Sequence, residues 1–119
     1  MFKSIRPFIG AKDFENSSNF YKDLGFIEKK LASNLSVFVV NDKLSFYLQN
    51  AYVKDWVDNS MLFLEVEDIE SYLLAIEHKK LTEKYPKVKL SKIVTNDWGK
   101  EFFLHDPSGI LWHIGCFNQ

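Results

Sequence analysis

The polar side chain best placed to do chemistry in this sequence is His113, near the C-terminus. It interrupts the apolar stretch Ile110–Phe117, whose composition is typical of a β-strand. An imidazole there could be a lone ligand, a general base, or a neutral ring satisfied by a neighbour. Cys116, in the same stretch, is predicted to be a buried structural thiol because nothing in an apolar strand lowers a thiol pKa. Any reaction would therefore centre on His113.

Two tryptophans lie in polar surroundings and are candidates for binding. Trp98 follows Thr95, Asn96 and Asp97, a poor setting for a core residue, so we predict that it lines a cleft or an interface. Trp56 stands among charged residues, where it could be a rim residue or a dimer contact.

A predicted hairpin positions these candidates. Asp106-Pro107-Ser108-Gly109 has turn chemistry at every position, because Asp caps the turn, Pro presets φ and Gly frees it. The strands on either side are Glu101–His105 and Ile110–Phe117. Alternation along the second strand directs Trp112 toward the core, opposite to His113.

The order of elements is repeated along the chain. Residues 8–15 and 63–70 share a strand, an acidic helix cap, an apolar residue and a glutamate. We therefore predict one α+β domain over residues 1–119, with two βαβββ modules at about 1–53 and 57–119 that form a curved mixed sheet around a cleft. The other strands are predicted at 5–11, 26–31, 36–41, 43–49, 61–66 and 88–94. In the fourth of these, Tyr47 and Gln49 share the more polar face.

Composition excludes several classes of function. The 119 residues are 46% hydrophobic and 16% aromatic with a net charge of −1, enough for one core but without a basic stripe for nucleic acid. A single cysteine excludes an intramolecular disulfide, and no apolar run reaches the length of a membrane span. We expect a cytoplasmic protein that binds neither nucleic acid nor membrane.

The repeat and the terminal motif resemble the glyoxalase/bleomycin resistance protein/dioxygenase superfamily, the vicinal oxygen chelate fold. The resemblance covers nearly the whole chain and is closest to the bleomycin-binding resistance proteins. It rests on the opening strand with Pro7, on Phe20–Phe26, and on Trp98–Phe102 leading through the Asp106–Gly109 turn to His113.

The resemblance also implies where a metal would be held in the enzymes of this superfamily. The matching positions are Arg6, Met61, Tyr47 or Gln49, and His113. Of these only His113 is a good ligand for a divalent metal, because arginine keeps its proton and methionine prefers soft ions. We therefore expect no metal and no other cofactor.

Superfamily members without the metal ligands resemble binding proteins. The resemblance implies a homodimer, exchange of the first strand about Pro7, and ligand-lining roles for Trp98, Phe63 and Gln49, although Phe63 could also be ordinary core. Arg6 could clamp an anionic group or cover the dimer seam. The near-neutral charge, with Lys29 and its neighbour Lys30, departs from the acidic bleomycin-binding proteins. It favours another small aromatic or amphipathic ligand over bleomycin.

Three hypotheses follow from the sequence. The first is a metal-independent binder that confers resistance by sequestering an antibiotic-like molecule. The second is a metal-dependent enzyme of the same superfamily, a lyase, isomerase, thiol transferase or dioxygenase, with a rearranged site around His113, Gln49 and Tyr47. The third is a domain that binds a partner and no small ligand.

Overall fold

The structure is a computed structural model that describes all residues from 1 to 119. Its first half consists of β1 (Phe8–Gly10), α1 (Phe14–Leu24), β2 (Ile27–Ala32), β3 (Leu35–Val39), β4 (Ser45–Gln49) and α2 (Lys54–Asp58). Its second half consists of β5 (Met61–Glu65), α3 (Ile69–His78), α4 (Leu81–Lys84), β6 (Lys89–Leu90), β7 (Val94–Thr95), β8 (Gly99–His105) and β9 (Leu111–Phe117). No helix has the length and the hydropathy needed to cross a membrane.

Each half forms one mixed sheet. Sheet one has the order β1-β4-β3-β2, and sheet two has the order β5-β9-β8-β6, with β7 also paired to β8. The first strand of each half runs parallel to the last strand of the same half, and the remaining pairs are antiparallel. The predicted α+β class with two βαβββ modules is confirmed.

The two main helices begin at the predicted residues. Asp13 accepts a hydrogen bond from the Asn16 amide, and Asp68 accepts one from the Ser71 amide, each at 3.0 Å. These side chains satisfy amides that have no partner within the helix. Gly25 ends α1 with a φ of 113°, a left-handed conformation that glycine adopts without strain.

One aromatic core joins the two sheets. Phe46 of β4 and Trp112 of β9 lie with ring centroids 5.3 Å apart, and Tyr21 of α1 contacts both. The predicted core position of Trp112 is confirmed by an exposed fraction of 3%. Cys116 packs against the border of this core and is half-buried, less than the sequence prediction of a buried structural thiol implied.

The structure differs most from the sequence prediction in three segments. The first strand is shorter than predicted and begins only at Phe8. The predicted strand at 88–94 is split into β6 and β7, because Ser91 uses its side-chain oxygen to accept the Phe103 amide at 2.8 Å and so interrupts the backbone ladder. The connection around Trp56 contains the unpredicted helix α2, whose N-cap, Val53, makes no side-chain hydrogen bond.

Two edge strands, β2 of sheet one and β5 of sheet two, differ in their protection against pairing with another chain. β2, at the edge of sheet one, carries Lys29 and Lys30 and a register shift before Ala32. β5, at the edge of sheet two, carries Met61 and Phe63, which are 62% and 45% exposed. Lysines and bulges are features that discourage edge-to-edge pairing, and only the first edge has them.

Candidate functional site

One face of sheet two carries no helix and brings together three of the predicted binding residues, Phe63, Trp98 and His113. The central row across this open face is Phe63, His113 and Phe103, which lie directly opposite one another on β5, β9 and β8. The next row is Glu65, Gly115 and Glu101. Side chains paired in this way share one face of a sheet. The intervening residues of β8 and β9 point toward the core.

Three aromatic rings form a cluster at one end of the open face. Phe63, Trp98 and Phe117, here called the ring cluster, lie with centroids 5.2 to 5.8 Å apart. Trp98 reaches the cluster because its carbonyl oxygen accepts the Asn118 amide at 2.8 Å, which holds the start of β8 against the C-terminal residues. The three rings are 45%, 36% and 53% exposed, so they present apolar surface to solvent. Trp98 therefore lies outside the core, and its role in lining a cleft or an interface stays a prediction.

A polar chain lies beside the ring cluster. His113 Nδ1 is 2.8 Å from Glu101 Oε1, and Asn96 Nδ2 donates to Glu101 Oε2, also at 2.8 Å. A carboxylate only accepts hydrogen bonds, so Nδ1 of His113 carries a proton. The opposite ring nitrogen, Nε2, is buried without a hydrogen-bond partner, an arrangement that costs about 1 to 3 kcal/mol.

Aromatic rings enclose His113 on two sides. Phe63 stacks on the imidazole with a centroid separation of 6.4 Å, and Phe103 meets it edge-on at 5.1 Å. Phe63 also extends over Gly115, where its Cζ would be 2.9 Å from an added Cβ. Gly115 is therefore the residue that lets Phe63 lie flat across the sheet.

Tyr47 and Arg6 lie on the open face of sheet one. Phe8 stacks on Tyr47 at 4.4 Å, and the Arg6 guanidinium lies 5.8 Å from the Tyr47 ring centroid with Nη1 3.4 Å from the hydroxyl. The predicted pairing of Tyr47 with Gln49 on one face is borne out by the burial of Phe46 and Leu48 on the other.

Gln49 and Trp56 line a small cavity of about 70 Å³ with Phe8 and Gly10. The Trp56 ring is 71% exposed on α2. The structure therefore distributes the predicted site residues over two faces: Phe63, Trp98 and His113 on sheet two, and Arg6, Tyr47, Gln49 and Trp56 on or beside sheet one.

A larger cavity of about 360 Å³ lies between the N-terminal segment and β5. Pro7, Leu44, Met61 and Phe63 are among its lining residues, most of which are apolar. Phe63 therefore borders both this cavity and the ring cluster, and the two regions are continuous along β5.

The residues that the sequence resemblance matches to metal ligands do not, as a set, fit a divalent metal. Arg6 keeps its proton and Met61 is a soft thioether, so His113, whose Nδ1 is bonded to Glu101 and whose Nε2 has no partner, is the one good ligand at these positions. No group of three or more His, Cys, Asp and Glu side chains in the structure is arranged to hold a metal ion.

Sequence reasoning missed the buried network that fixes the hairpin beneath the open face. Asp106 accepts the amides of residues 108, 109 and 110 through Oδ1, as predicted for the turn, but its Oδ2 accepts the Tyr21 hydroxyl at 2.7 Å. That hydroxyl in turn accepts Trp112 Nε1 at 3.0 Å. Trp112 precedes His113 in β9, so this network holds the strand on which the imidazole lies.

The protonation of this network follows from its burial. Burial raises the pKa of Tyr21, and the adjacent Asp106 carboxylate raises it further, so the phenol keeps its proton and donates. Burial also raises the pKa of Asp106, and the hydrogen bonds that it accepts oppose this rise. A tyrosine in α1 gives no sequence signal of a partner 85 residues away.

Comparison with known proteins gives a match in structure and none in sequence. No family model matches the chain, and no curated protein matches its sequence. The bleomycin-binding protein of Streptomyces verticillus, in complex with copper(II)-bleomycin, superposes with a TM-score of 0.75 over 99% of this chain and 98% of its own at 18% identity. The chain has the fold of the bleomycin-binding proteins. The resemblance seen in the sequence is thus confirmed for the fold.

Other structures with the bleomycin-binding protein fold differ in what they do. A bleomycin resistance determinant encoded on the transposon Tn5 superposes with a TM-score of 0.75 at 16% identity over 99% of this chain and all of its own. A glyoxalase-related enzyme from Fulvimarina pelagi superposes with a TM-score of 0.71 at 15% identity over 97% of this chain and 88% of its own. The fold therefore accommodates both binding and catalysis, and the site must decide between them.

Proposed function

We propose that this protein binds a small, planar or amphipathic molecule of antibiotic type on the open face of sheet two and protects by sequestering it. The observation that carries the proposal is the ring cluster of Phe63, Trp98 and Phe117, which exposes three rings within 6 Å of one another. Exposed rings in contact with one another are typical of a binding surface rather than of a finished core.

The ring cluster supplies affinity without chemistry. Each ring offers about 0.5 to 1.5 kcal/mol of stacking beyond area burial, and about 0.5 to 2 kcal/mol of attraction to a cation above its face. Glu65 and Glu101, on either side of Gly115, add negative charge to the same face. The surface is thus locally acidic in a chain of net charge −1.

Bleomycin is the first ligand to test, because two structures with this fold are complexes of bleomycin-binding proteins with bleomycin. The experiment is a titration of tryptophan fluorescence with copper-free and copper-loaded bleomycin, beside metal analysis of the purified protein. We expect saturable quenching and no stoichiometric metal. Absence of saturable quenching by either form excludes bleomycin, and stoichiometric divalent metal contradicts a metal-independent binder.

Matched variants locate the binding surface. Trp98→Leu removes a ring from the cluster and should weaken ligand binding at least ten-fold, whereas Trp56→Leu removes a 71% exposed ring on α2. If binding occurs on sheet two, Trp56→Leu keeps the wild-type affinity. If instead Trp56→Leu weakens binding and Trp98→Leu does not, the ligand binds at the cavity that Trp56 and Gln49 line.

A second candidate function rests on the His113–Glu101 pair. An imidazole held by a carboxylate at 2.8 Å is the arrangement of a general base, and glyoxalase-related enzymes share this fold. Tyr47 and Gln49 belong to the other sheet, so in one chain the predicted rearranged site has only its histidine on this face. Loss of a lyase, isomerase or transferase activity in His113→Ala, with folding retained, would favour the enzyme.

The homodimer is a further part of the proposal. Met1, Phe2 and Ile5 are at least 90% exposed, and Phe8 is 55% exposed. A second copy that covers these apolar side chains could also bring sheet one of one chain toward sheet two of its partner. Arg6, Tyr47 and Gln49 would then share a ligand with Trp98, Phe63 and His113. Sedimentation equilibrium tests this directly.

A further inference from the structure

The buried, unpartnered nitrogen of His113 indicates what kind of group the ligand carries. Almost every buried polar atom in a folded protein has a hydrogen-bond partner, so an exception in a candidate site requires an explanation. Nε2 of His113 is such an exception, because it is buried and no protein atom bonds to it. It lies on the open face of sheet two, between Phe63 and Phe103.

Glu101 determines which hydrogen bond Nε2 can make. The carboxylate accepts from His113 Nδ1 at 2.8 Å, so the neutral form of the imidazole carries its proton on Nδ1 and presents a lone pair at Nε2. Asn96 occupies the other carboxylate oxygen at 2.8 Å and so fixes the rotation of the Glu101 side chain. Nε2 is therefore an oriented acceptor that lacks a donor.

The charges around this acceptor favour a cationic donor. Glu65 and Glu101 flank Gly115 in the row next to His113. The lysine that shares this face, Lys89, is paired with His105 at the opposite end of β8. Rings that surround a site edged by carboxylates attract cations.

We propose that Nε2 of His113 accepts a hydrogen bond from a cationic N–H group of the ligand, such as an amidinium or a guanidinium, and that Phe63 turns aside to admit it. Phe63 is the movable cover because it is 45% exposed and belongs to an edge strand. Phe103 is the fixed one because its amide is bonded to Ser91 Oγ at 2.8 Å and β8 lies between paired strands. This inference rests on the proposed function, since it assigns an atom of the same site.

Two probes separate the hydrogen bond from stacking and charge. Benzamidinium and phenyltrimethylammonium are both aromatic monocations, but only benzamidinium has N–H donors. Titrations of tryptophan fluorescence are made in a Trp56→Phe background, which leaves Trp98 at the site and the buried Trp112 as emitters, at a pH above the ordinary range of histidine titration. We expect benzamidinium to bind at least ten-fold more tightly, a difference of about 1.4 kcal/mol, and to shift the ¹⁵N resonance of His113 Nε2.

Variants test whether the preference belongs to His113. In His113→Leu the two probes should bind equally, and in His113→Gln, which keeps an acceptor oxygen, part of the preference should return. His105→Gln, on the same face but outside the site, should keep the full preference. The ¹⁵N shift is measured on the wild-type imidazole, so it does not depend on whether a variant folds.

Each contrary outcome has a different meaning. Equal binding of both probes to the wild type, or a preference that survives His113→Leu, overturns the hydrogen bond but leaves the binding function intact. Absence of quenching by either probe and by bleomycin overturns both. A shift of Nε2 produced by Zn²⁺ alone at micromolar concentration would assign the atom to a metal and also overturn the inference.

Discussion

Replacing Tyr21 by phenylalanine should weaken the fold more than the loss of one oxygen atom would suggest. The Tyr21 hydroxyl donates to Asp106 Oδ2 at 2.7 Å and accepts from Trp112 Nε1 at 3.0 Å. All three side chains are buried, with exposed fractions of at most 3%. Phenylalanine fits the same space, so the variant removes hydrogen bonds and leaves the ring packing in place.

The size of this loss of stability follows from the two groups that lose a hydrogen-bond partner, Asp106 Oδ2 and Trp112 Nε1. A hydrogen bond to a charged group contributes about 1.5 to 3 kcal/mol, and a buried indole N–H without an acceptor costs about 1 to 3 kcal/mol. Since both losses fall on one network they are not fully additive. We expect the free energy of unfolding to fall by about 3 to 5 kcal/mol in Tyr21→Phe.

Urea denaturation followed by far-ultraviolet circular dichroism measures this loss. The matched control is Tyr72→Phe, because the half-buried Tyr72 makes no side-chain hydrogen bond in the structure and should lose less than about 0.5 kcal/mol. A loss below about 1 kcal/mol in Tyr21→Phe, or an equal loss in both variants, would refute the role given to the network.

Three further outcomes are expected. Gly99→Ala should lower the free energy of unfolding by more than about 2 kcal/mol in urea denaturation, because an added Cβ would clash with the Cys116 carbonyl oxygen. Burial and the nearby Lys89 lower the pKa of His105, so stability should decrease as the pH falls from about 7 to 5, and His105→Gln should flatten that dependence in melting curves. Deletion of residues 1–6 should shift sedimentation from dimer to monomer, since these residues leave apolar side chains uncovered; an unchanged dimer contradicts this.

The direction of the His105 effect follows from linkage. A histidine whose folded pKa is lowered takes up its proton first in the unfolded state, so it favours folding above its ordinary pKa and loses that contribution as the pH falls. A pH dependence that is the same in His105→Gln and in the wild type would show that other groups cause it.

Local chemistry was enough to predict much of the fold. Asp13 and Asp68 cap their helices, and Asp106 closes its turn, because each bonds to an amide only a few residues away. Alternation along β4 correctly separated Tyr47 from Phe46. These features depend on near neighbours in the sequence, which a single sequence displays.

Features that depend on distant partners were not predictable. The Tyr21–Asp106 bond joins residues 85 positions apart, and nothing near Tyr21 indicates an acceptor. The predicted site residues Trp98 and His113 lie on the same face of sheet two. The predicted site that combines His113 with Tyr47 is not formed within one chain, because Tyr47 belongs to sheet one and His113 to sheet two. Glu101 was overlooked as a site residue because only the strand pairing shows that it reaches His113.

The unequal sheet edges have a consequence for how the protein behaves at high concentration. β2 carries lysines that repel an approaching strand, whereas β5 offers free backbone groups beside Met61 and Phe63. Chains that have not yet formed the proposed dimer should therefore associate non-specifically through β5 before they do so through β2. A Met61→Lys substitution would give that edge the protection the other already has, and should raise solubility during refolding without disturbing the core.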